Sequence, residues 1–279
     1  MCQTLSGKEV AEHVERQVKE EIEHRGLKVS LAVVIVGDNP ASKIYVRNKS
    51  RACKYCGIKS VEYALPEHAT EAELLNLIDE LNANIDINGI LVQLPLPKHI
   101  NADEVIERID PAKDVDCFTA INTGKLWQGR YDIAPCTPAG ILAILDYYNI
   151  GITGKNVVIV GRSNIVGKPT AALMLERNAT VTVCHSGTQN LSGVTRNADI
   201  LISAVGKPKF ITRDMIKDGA VVIDVGMNRD ENGKLCGDVD FANIADKTSY
   251  ITPVPNGVGP MTVAMLMKNT LITVKYKGA

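Results

Sequence analysis

No apolar run in this sequence approaches the roughly 20 residues needed to span a bilayer, so no membrane-spanning helix is expected. An excess of charge is missing as well: 31 Lys and Arg meet 32 Asp and Glu, for a formal net charge of −1. A chain this close to neutral offers no global field to gather nucleic acid or an anionic membrane, and neither is expected as a partner. The first 26 residues, MCQTLSGKEVAEHVERQVKEEIEHRG, carry charges throughout and no apolar core, which argues against a signal peptide. A cysteine framework is also missing. Seven cysteines at 2, 53, 56, 117, 136, 184 and 236 form an odd, scattered set, which fits a reducing cytoplasmic setting better than a disulfide scaffold. Cys53 and Cys56 do make a C-x-x-C, yet no second C-x-x-C and no H-x-x-x-H completes a structural zinc site. No metal is expected, and for this pair plain helix packing stands against a redox role.

What is present describes a globular α/β protein. Hydrophobic residues make up 45% and charged residues 23%, and 279 residues suffice for two domains. Val10, Val14, Val18 and Ile22 recur four apart, predicting an amphipathic helix closed by Gly26. LAVVIVG (31–37), VEYAL (61–65) and GILVQL (89–94) read as strands, separated by helices over about 40–56 and 71–82. A stretch over about 110–136, rich in Asp, Gly, Thr and Pro, reads as a break. A helix over 138–150 then leads into strands at 157–161, 179–184, 199–205 and 220–226, with strand character again at 250–254 and a helical tail from Met261 to about Lys275. The alternation predicts two α/β domains with a cleft between them, the C-terminal one a Rossmann-like, doubly wound parallel sheet. The tail helix is expected to return to the first domain. This places residues 1–117 plus 258–279 in one domain and 118–257 in the other.

VVIVGRSNIVGKPTAAL (157–173) is a buried strand, a glycine-bearing turn and a helix start, the arrangement that holds a pyrophosphate on backbone N–H groups. It lacks the G-x-G-x-x-G pattern, because Ser163 stands at the middle glycine. The next strand lacks the terminal carboxylate that binds the ribose 2′-hydroxyl of NAD; His185 and Ser186 stand there instead. With Arg162 in the phosphate turn, these groups suit a 2′-phosphate, so NADP is expected over NAD. Arg162 as a solvated loop charge and His185 as a strand-end cap remain the competing readings. DVGMN (224–228) follows another strand, where loops line the ligand crevice, so Met227 is a candidate against the nicotinamide, or a core residue.

In the first domain, Tyr45 and Lys49 stand four apart on one helical face, a spacing that suits proton handling and also occurs in ordinary amphipathic surfaces. Gln93 is a polar amide at the end of an apolar strand and needs partners there. KDVDCF (113–118) carries two carboxylates, Asp114 and Asp116, either of which could take paired N–H donors of a heterocycle or serve a turn. PVPNGVGPMT (253–262) is dense in Gly and Pro, as a loop close to a ligand or as a rigid connector.

Taken in order, YVRNK, GILVQLPLP, KDVDCF, PCTPAG, GRSNIVGKP, TVCHSGT, DILISAVGKP, VIDVGMN and TPVPNGVGPMTVAML resemble the methylenetetrahydrofolate dehydrogenase/cyclohydrolase family over almost the whole chain. The resemblance implies a homodimer that oxidises 5,10-methylenetetrahydrofolate to the methenyl form with NAD(P), then hydrolyses it to 10-formyltetrahydrofolate. It assigns catalysis to Lys49, with Tyr45 orienting the folate, Gln93 holding the lysine and Asp116 anchoring the pterin. Pro255 and Gly259 would line the folate site, and Gly161, Arg162, Ser163 and Ser186 would contact the dinucleotide. The oxidation leaves a cationic amidinium, so Lys49 is expected to act at least partly in its neutral form, beside a neutral partner. Two positions depart from the family pattern: Cys117 and Asn256 stand where glycine is usual. Cysteine enters the left-handed region less readily than glycine, and Asn tolerates it better. Rival readings are a monofunctional dehydrogenase, argued against by Tyr45, Lys49 and Gln93, and a non-catalytic dinucleotide-binding regulator sensing redox state through Cys53 and Cys56. A shikimate-dehydrogenase-like protein would leave VQLPLP and PVPNGVGPMT unexplained.

Overall fold

The computed structural model describes residues 2–38 and 40–275, with the backbone alone for 40–45 and 275. The chain forms two compact units, His13–Cys136 with Val263–Ala279, and Met1–Glu12 with Thr137–Thr262. Both are α/β. Among the described residues no helix is long and apolar enough to cross a membrane.

The first elements are β1 (Gln3–Thr4), α1 (Gly7–Arg25), β2 (Ser30–Val36), α2 (Pro40–Cys56), β3 (Lys59–Leu65), α3 (Glu71–Ala83), β4 (Gly89–Val92), α4 (Ala102–Arg108) and α5 (Ala120–Trp127). The valine and isoleucine stripe of α1 is buried as its spacing requires. The helix stops at Gly26, whose φ of +59° is the left-handed geometry of a C-terminal cap. In the unit of residues 13–136, β2 lies between β3 and β4, paired in parallel with both. That central place explains why all seven of its residues are buried while the edge strand β3 is mostly half-exposed. α3 begins with a reciprocal capping box: the Thr70 hydroxyl accepts from the Glu73 N–H at 3.2 Å, and Glu73 accepts from the Thr70 N–H at 2.7 Å. Its buried Leu74, Ile78 and Leu81 pack with Val34 and Ile90 of the sheet. Each such side chain contributes about 1.5–3 kcal/mol of burial.

The remaining elements are α6 (Cys136–Tyr147), β5 (Asn156–Val160), α7 (Gly167–Glu176), β6 (Thr180–Cys184), α8 (Leu191–Thr195), β7 (Ile200–Ser203), β8 (Val221–Asp224), β9 (Asn228–Arg229), β10 (Leu235–Cys236), α9 (Phe241–Ile244), β11 (Tyr250–Ile251) and α10 (Val258–Lys275). Six strands form a parallel sheet in the order β1-β11-β8-β7-β5-β6. Chain order reverses at β5, whose neighbours β6 and β7 lie on opposite sides, so its carboxyl end is a topological switch point where such sheets bind ligands. From Val263 onward α10 belongs to the unit of residues 13–136.

The stretch over 110–136, read from sequence as a break, contains α5, capped by the Thr119 hydroxyl on the Asn122 N–H. Strand β11 covers two residues of the expected five.

Candidate active site

Lys49 sits on α2 and Gln93 directly follows β4, so the helix and the strand end bring together residues 44 apart in sequence. The Lys49 Nζ donates to Gln93 Oε1 at 2.9 Å. The amide is held from behind, because its Nε2 donates to the Leu94 carbonyl at 2.7 Å and its backbone N–H donates to Val34. That leaves the carbonyl face of Gln93 toward the lysine, a neutral acceptor that orients the amine and adds no charge. Both side chains are half-buried. The side chain of Tyr45 lies outside the described residues; its backbone is part of α2.

The K-D-V-D segment separates into structural and partly exposed roles that its residue types alone left open. Lys113 is buried and donates through Nζ to the Leu81, Asn82 and Asn84 carbonyls at 2.8, 2.6 and 2.8 Å, closing the C-terminal end of α3. Asp114 is buried and accepts from the Phe118 and Thr119 N–H groups and from Asn122 Nδ2, at 3.3, 2.9 and 3.0 Å. Its carboxylate is consumed in building the loop. Asp116 keeps part of its surface in solvent, yet its carboxyl lies deep enough that burial pushes its pKa up to about 6. Lys49 pulls that value back down and Asp114 pushes it further up, so the lysine and Asp116 share one electrostatic site.

Sequence reasoning missed the groups behind Asp116. The Cys136 thiol reaches Asp116 Oδ1 at 3.9 Å, and burial and Asp116 hold this thiol well above its ordinary pKa. Asn269, buried on α10, donates through Nδ2 to the Val115 and Ala134 carbonyls at 2.8 and 2.9 Å, tying the Asp116 loop to the segment before α6. A buried amide in an otherwise apolar helix was the available signal. Cys117 does occupy the left-handed region, at φ +59°, with its thiol on the Ile133 carbonyl at 3.4 Å. The C-x-x-C pair is fully buried in α2, and burial raises Cys53 to about 11 and Cys56 to about 12. Thiols so protonated are packing residues, and the redox reading loses its basis.

In the other unit, the phosphate turn is shaped by two glycines. Gly161 has φ +134°, and a Cβ there would land inside contact distance of the Ala204 carbonyl. A Cβ on Gly167 would collide with the Gly161 carbonyl, so strand end and helix start press directly on each other. Such a cradle, at the start of a ten-residue helix, fits a dinucleotide pyrophosphate. Ser163 helps build it: its hydroxyl accepts from the Val166 and Gly167 N–H groups at 3.1 and 3.4 Å. Arg162 is exposed. At the end of β6, Ser186 is exposed, and the His185 Nδ1 accepts from the Gly187 N–H at 3.1 Å, so that ring also braces its own turn. Met227 is 49% exposed after β8, which removes the core reading. Gly259 lies beside it, since a Cβ there would be 3.0 Å from the Met227 methyl. Pro255 is exposed in the same unit, and Asn256 adopts φ +75°.

Residues 5–116 match the family model for the tetrahydrofolate dehydrogenase/cyclohydrolase catalytic domain, and residues 135–278 match that for its NAD(P)-binding domain. The chain is 55% identical over 278 residues to the "Bifunctional protein FolD" of Agathobacter rectalis, covering 99% of this chain and 100% of that one. It is similar to the solved bifunctional methylenetetrahydrofolate dehydrogenase/cyclohydrolase of Campylobacter jejuni, with a TM-score of 0.97, 48% identity and coverage of 99% and 100%. The enzyme of Trypanosoma brucei, solved with NADP and an inhibitor, gives a TM-score of 0.93 at 37% identity, with coverage of 99% and 98%.

Proposed function

The chain belongs to the tetrahydrofolate dehydrogenase/cyclohydrolase family, and from that premise we propose that it oxidises 5,10-methylenetetrahydrofolate to the 5,10-methenyl form with NADP and hydrolyses this to 10-formyltetrahydrofolate. The observation that carries the reading is the Lys49–Gln93 hydrogen bond beside the half-buried Asp116 carboxyl. When bound, NAD(P) supplies the hydride acceptor. The substrate's bridging carbon gives up a hydride and becomes part of a cationic amidinium. Water then adds to that carbon, and a proton must leave the water as the C–O bond forms. Lys49, oriented by Gln93, is the group to manage that proton and to return one to the ring nitrogen as the C–N bond breaks. Asp116 accepts paired N–H donors of the pterin, Tyr45 orients the folate, and Pro255, in the loop before α10, and Gly259, in the first turn of that helix, serve the substrate. Gly161, Arg162, Ser163, Ser186 and Met227 serve the dinucleotide.

NADP over NAD rests on two features: no carboxylate follows β6, where His185 and Ser186 stand, and Arg162 is exposed in the phosphate turn. Seven free thiols support a reducing, cytoplasmic setting. A homodimer is part of the same reading, and its mass in solution by light scattering tests it.

The deciding experiment follows methenyltetrahydrofolate by absorbance, with NADP and with NAD, in the wild type and in Lys49→Met. The wild type forms and then consumes the methenyl species; Lys49→Met loses hydrolysis by about 100-fold or more while NADPH binding persists. Undiminished hydrolysis in Lys49→Met sinks the assignment of the lysine. Absence of turnover with either nucleotide sinks the oxidoreductase reading.

A further inference from the structure

Two carboxylates of the 137–262 unit are almost wholly enclosed, Asp224 at 3% exposure and Asp238 at 0%. Among the described residues, neither is in a salt bridge. Asp224 ends β8 and accepts from the Gly226, Asp238 and Val239 N–H groups at 2.9, 3.0 and 3.0 Å. Asp238 accepts from the Val205 and Lys207 N–H groups at 2.7 and 3.0 Å, from the Ser203 hydroxyl at 3.2 Å and from Asn228 Nδ2 at 2.9 Å. Two carboxyl groups thus gather donors from three separate segments, residues 203–207, 226–228 and 238–239. The backbone is wrapped closely around them: a Cβ on Gly226 would collide with the Asp238 carboxylate, and one on Gly237 with that of Asp224.

Burying two carboxylates is expensive, and a well-packed apolar pair is often as stable or more so, so fold stability alone is a poor reason for this arrangement. The segments they hold are the loops at the carboxyl ends of β7 and β8. The same 203–207 segment includes Ala204, whose carbonyl faces Gly161 of the phosphate turn. In the sheet order β8-β7-β5-β6, the pyrophosphate turn follows β5 and the expected 2′-phosphate end follows β6. A dinucleotide crossing the carboxyl edge therefore extends its other half over β7 and β8.

We propose that Asp224 and Asp238 are positioning residues that fix the β7 and β8 loops, including the Met227 turn anchored through Asn228, as the platform for the nicotinamide half of the cofactor. This rests on the dehydrogenase reading and adds the groups that set the geometry of hydride acceptance. It acts on oxidation and leaves the hydrolytic groups of the other unit alone.

The test uses Asp238→Asn and Asn228→Ala in the full-length protein. Three quantities are compared with wild type: kcat and KM of NADP reduction, nucleotide-free hydrolysis of methenyltetrahydrofolate, and NADPH affinity by fluorescence titration. Asp238→Asn puts an amide N–H against donors, and the expected ratio of oxidation to hydrolysis falls about tenfold or more, with the loss in kcat. Asn228→Ala removes one bond and shifts the ratio the same way by less; it decides the matter if Asp238→Asn does not fold. Equal losses in both activities, or an unchanged ratio in the folded variants, overturn the proposal. If the wild type reduces neither nucleotide, the dehydrogenase reading fails by itself. NADPH affinity then judges the platform: weaker binding in the variants supports it and equal binding overturns it.

Discussion

In the unit of residues 13–136, the proposed chemistry rests on three side chains, each held by few bonds: Lys49 on Gln93, Gln93 on Leu94, and Asp116 beside Cys136. In the unit of residues 137–262, the binding edge is mostly backbone, shaped by Gly161 and Gly167 and by N–H groups gathered on Ser163, Asp224 and Asp238. The difference follows from the tasks. Moving a proton needs a titratable group free to change its state, whereas holding a pyrophosphate needs many fixed dipoles and close approach. Single side-chain changes in the first region should therefore remove one step, and changes of backbone shape in the second should remove a whole ligand.

The largest effect expected from breaking the second region is that of Gly161→Ala. The added Cβ meets the Ala204 carbonyl, at a φ of +134° that L side chains rarely adopt. Strain of this kind costs about 1–3 kcal/mol and moves the turn itself. NADPH binding and NADP reduction should be lost, while nucleotide-free hydrolysis continues at a measurable rate. Retained NADPH affinity in a fluorescence titration would mean that the turn does not carry the nucleotide.

The same contrast governs what could be read before the structure. β2, β5 and β8 each carry an apolar run with one polar residue at an end, and burial on both faces of a parallel sheet makes such strands legible. β1 is a two-residue strand that pairs only with β11, about 250 residues away, so no local pattern marks it, whereas β11 lies within the strand character read at 250–254. α5 was hidden because its Asn, Thr and Gly content resembles a loop, and the cap by Thr119 becomes visible only with the fold. Lys49 and Gln93 were legible as residue types. The choice between Asp114 and Asp116 came from the family resemblance alone and not from the residues themselves, because both stand in one short loop and only their partners separate a loop-building carboxylate from an available one. The Asp224 and Asp238 pair went unread for a similar reason, since its donors come from three segments.

Asp116→Asn should have the next largest effect, and its signature is in pH. Burial raises the Asp116 carboxyl from 3.8 to about 6, so the folded protein holds this proton more tightly than the unfolded chain. Stability from this group is therefore full below about pH 4 and falls as pH rises through 6, a slope that Asp116→Asn removes from urea-melt stabilities measured across this range. Substrate binding runs the other way. The anionic acceptor exists above about pH 6, so the wild-type KM for folate should climb as pH drops through that value. The variant should show a flat KM and about 100-fold lower kcat/KM, the worth of about 3 kcal/mol for a charge-assisted bond. A wild-type KM that is flat between pH 5 and 7 would remove Asp116 from the substrate.

Arg162→Ala sharpens the comparison from the backbone side, because it deletes an exposed cationic side chain in an edge built mostly from main chain. Loss of one charge-assisted contact to a 2′-phosphate should lower kcat/KM for NADP about tenfold and leave NAD nearly unchanged. Equal decreases with both nucleotides would make Arg162 a pyrophosphate or loop residue.

The smallest effects should come from placing the family's usual glycine at two of the left-handed positions, one in each unit. Cys117 at φ +59° and Asn256 at φ +75° both bear the strain of a non-glycine residue, about 1 kcal/mol for cysteine and less for Asn. Cys117 is buried, with its thiol on the Ile133 carbonyl, so Cys117→Gly relieves strain but deletes packing next to Asp116. Asn256 is exposed, so Asn256→Gly deletes little and adds flexibility to the unfolded chain. Chemical denaturation should therefore show Cys117→Gly less stable by about 1 kcal/mol and Asn256→Gly within about 0.5 kcal/mol of wild type. A clear gain in stability for Cys117→Gly would mean that the backbone of the Asp116 loop, and not its side-chain packing, governs the chemical site, which erases the contrast between the two units.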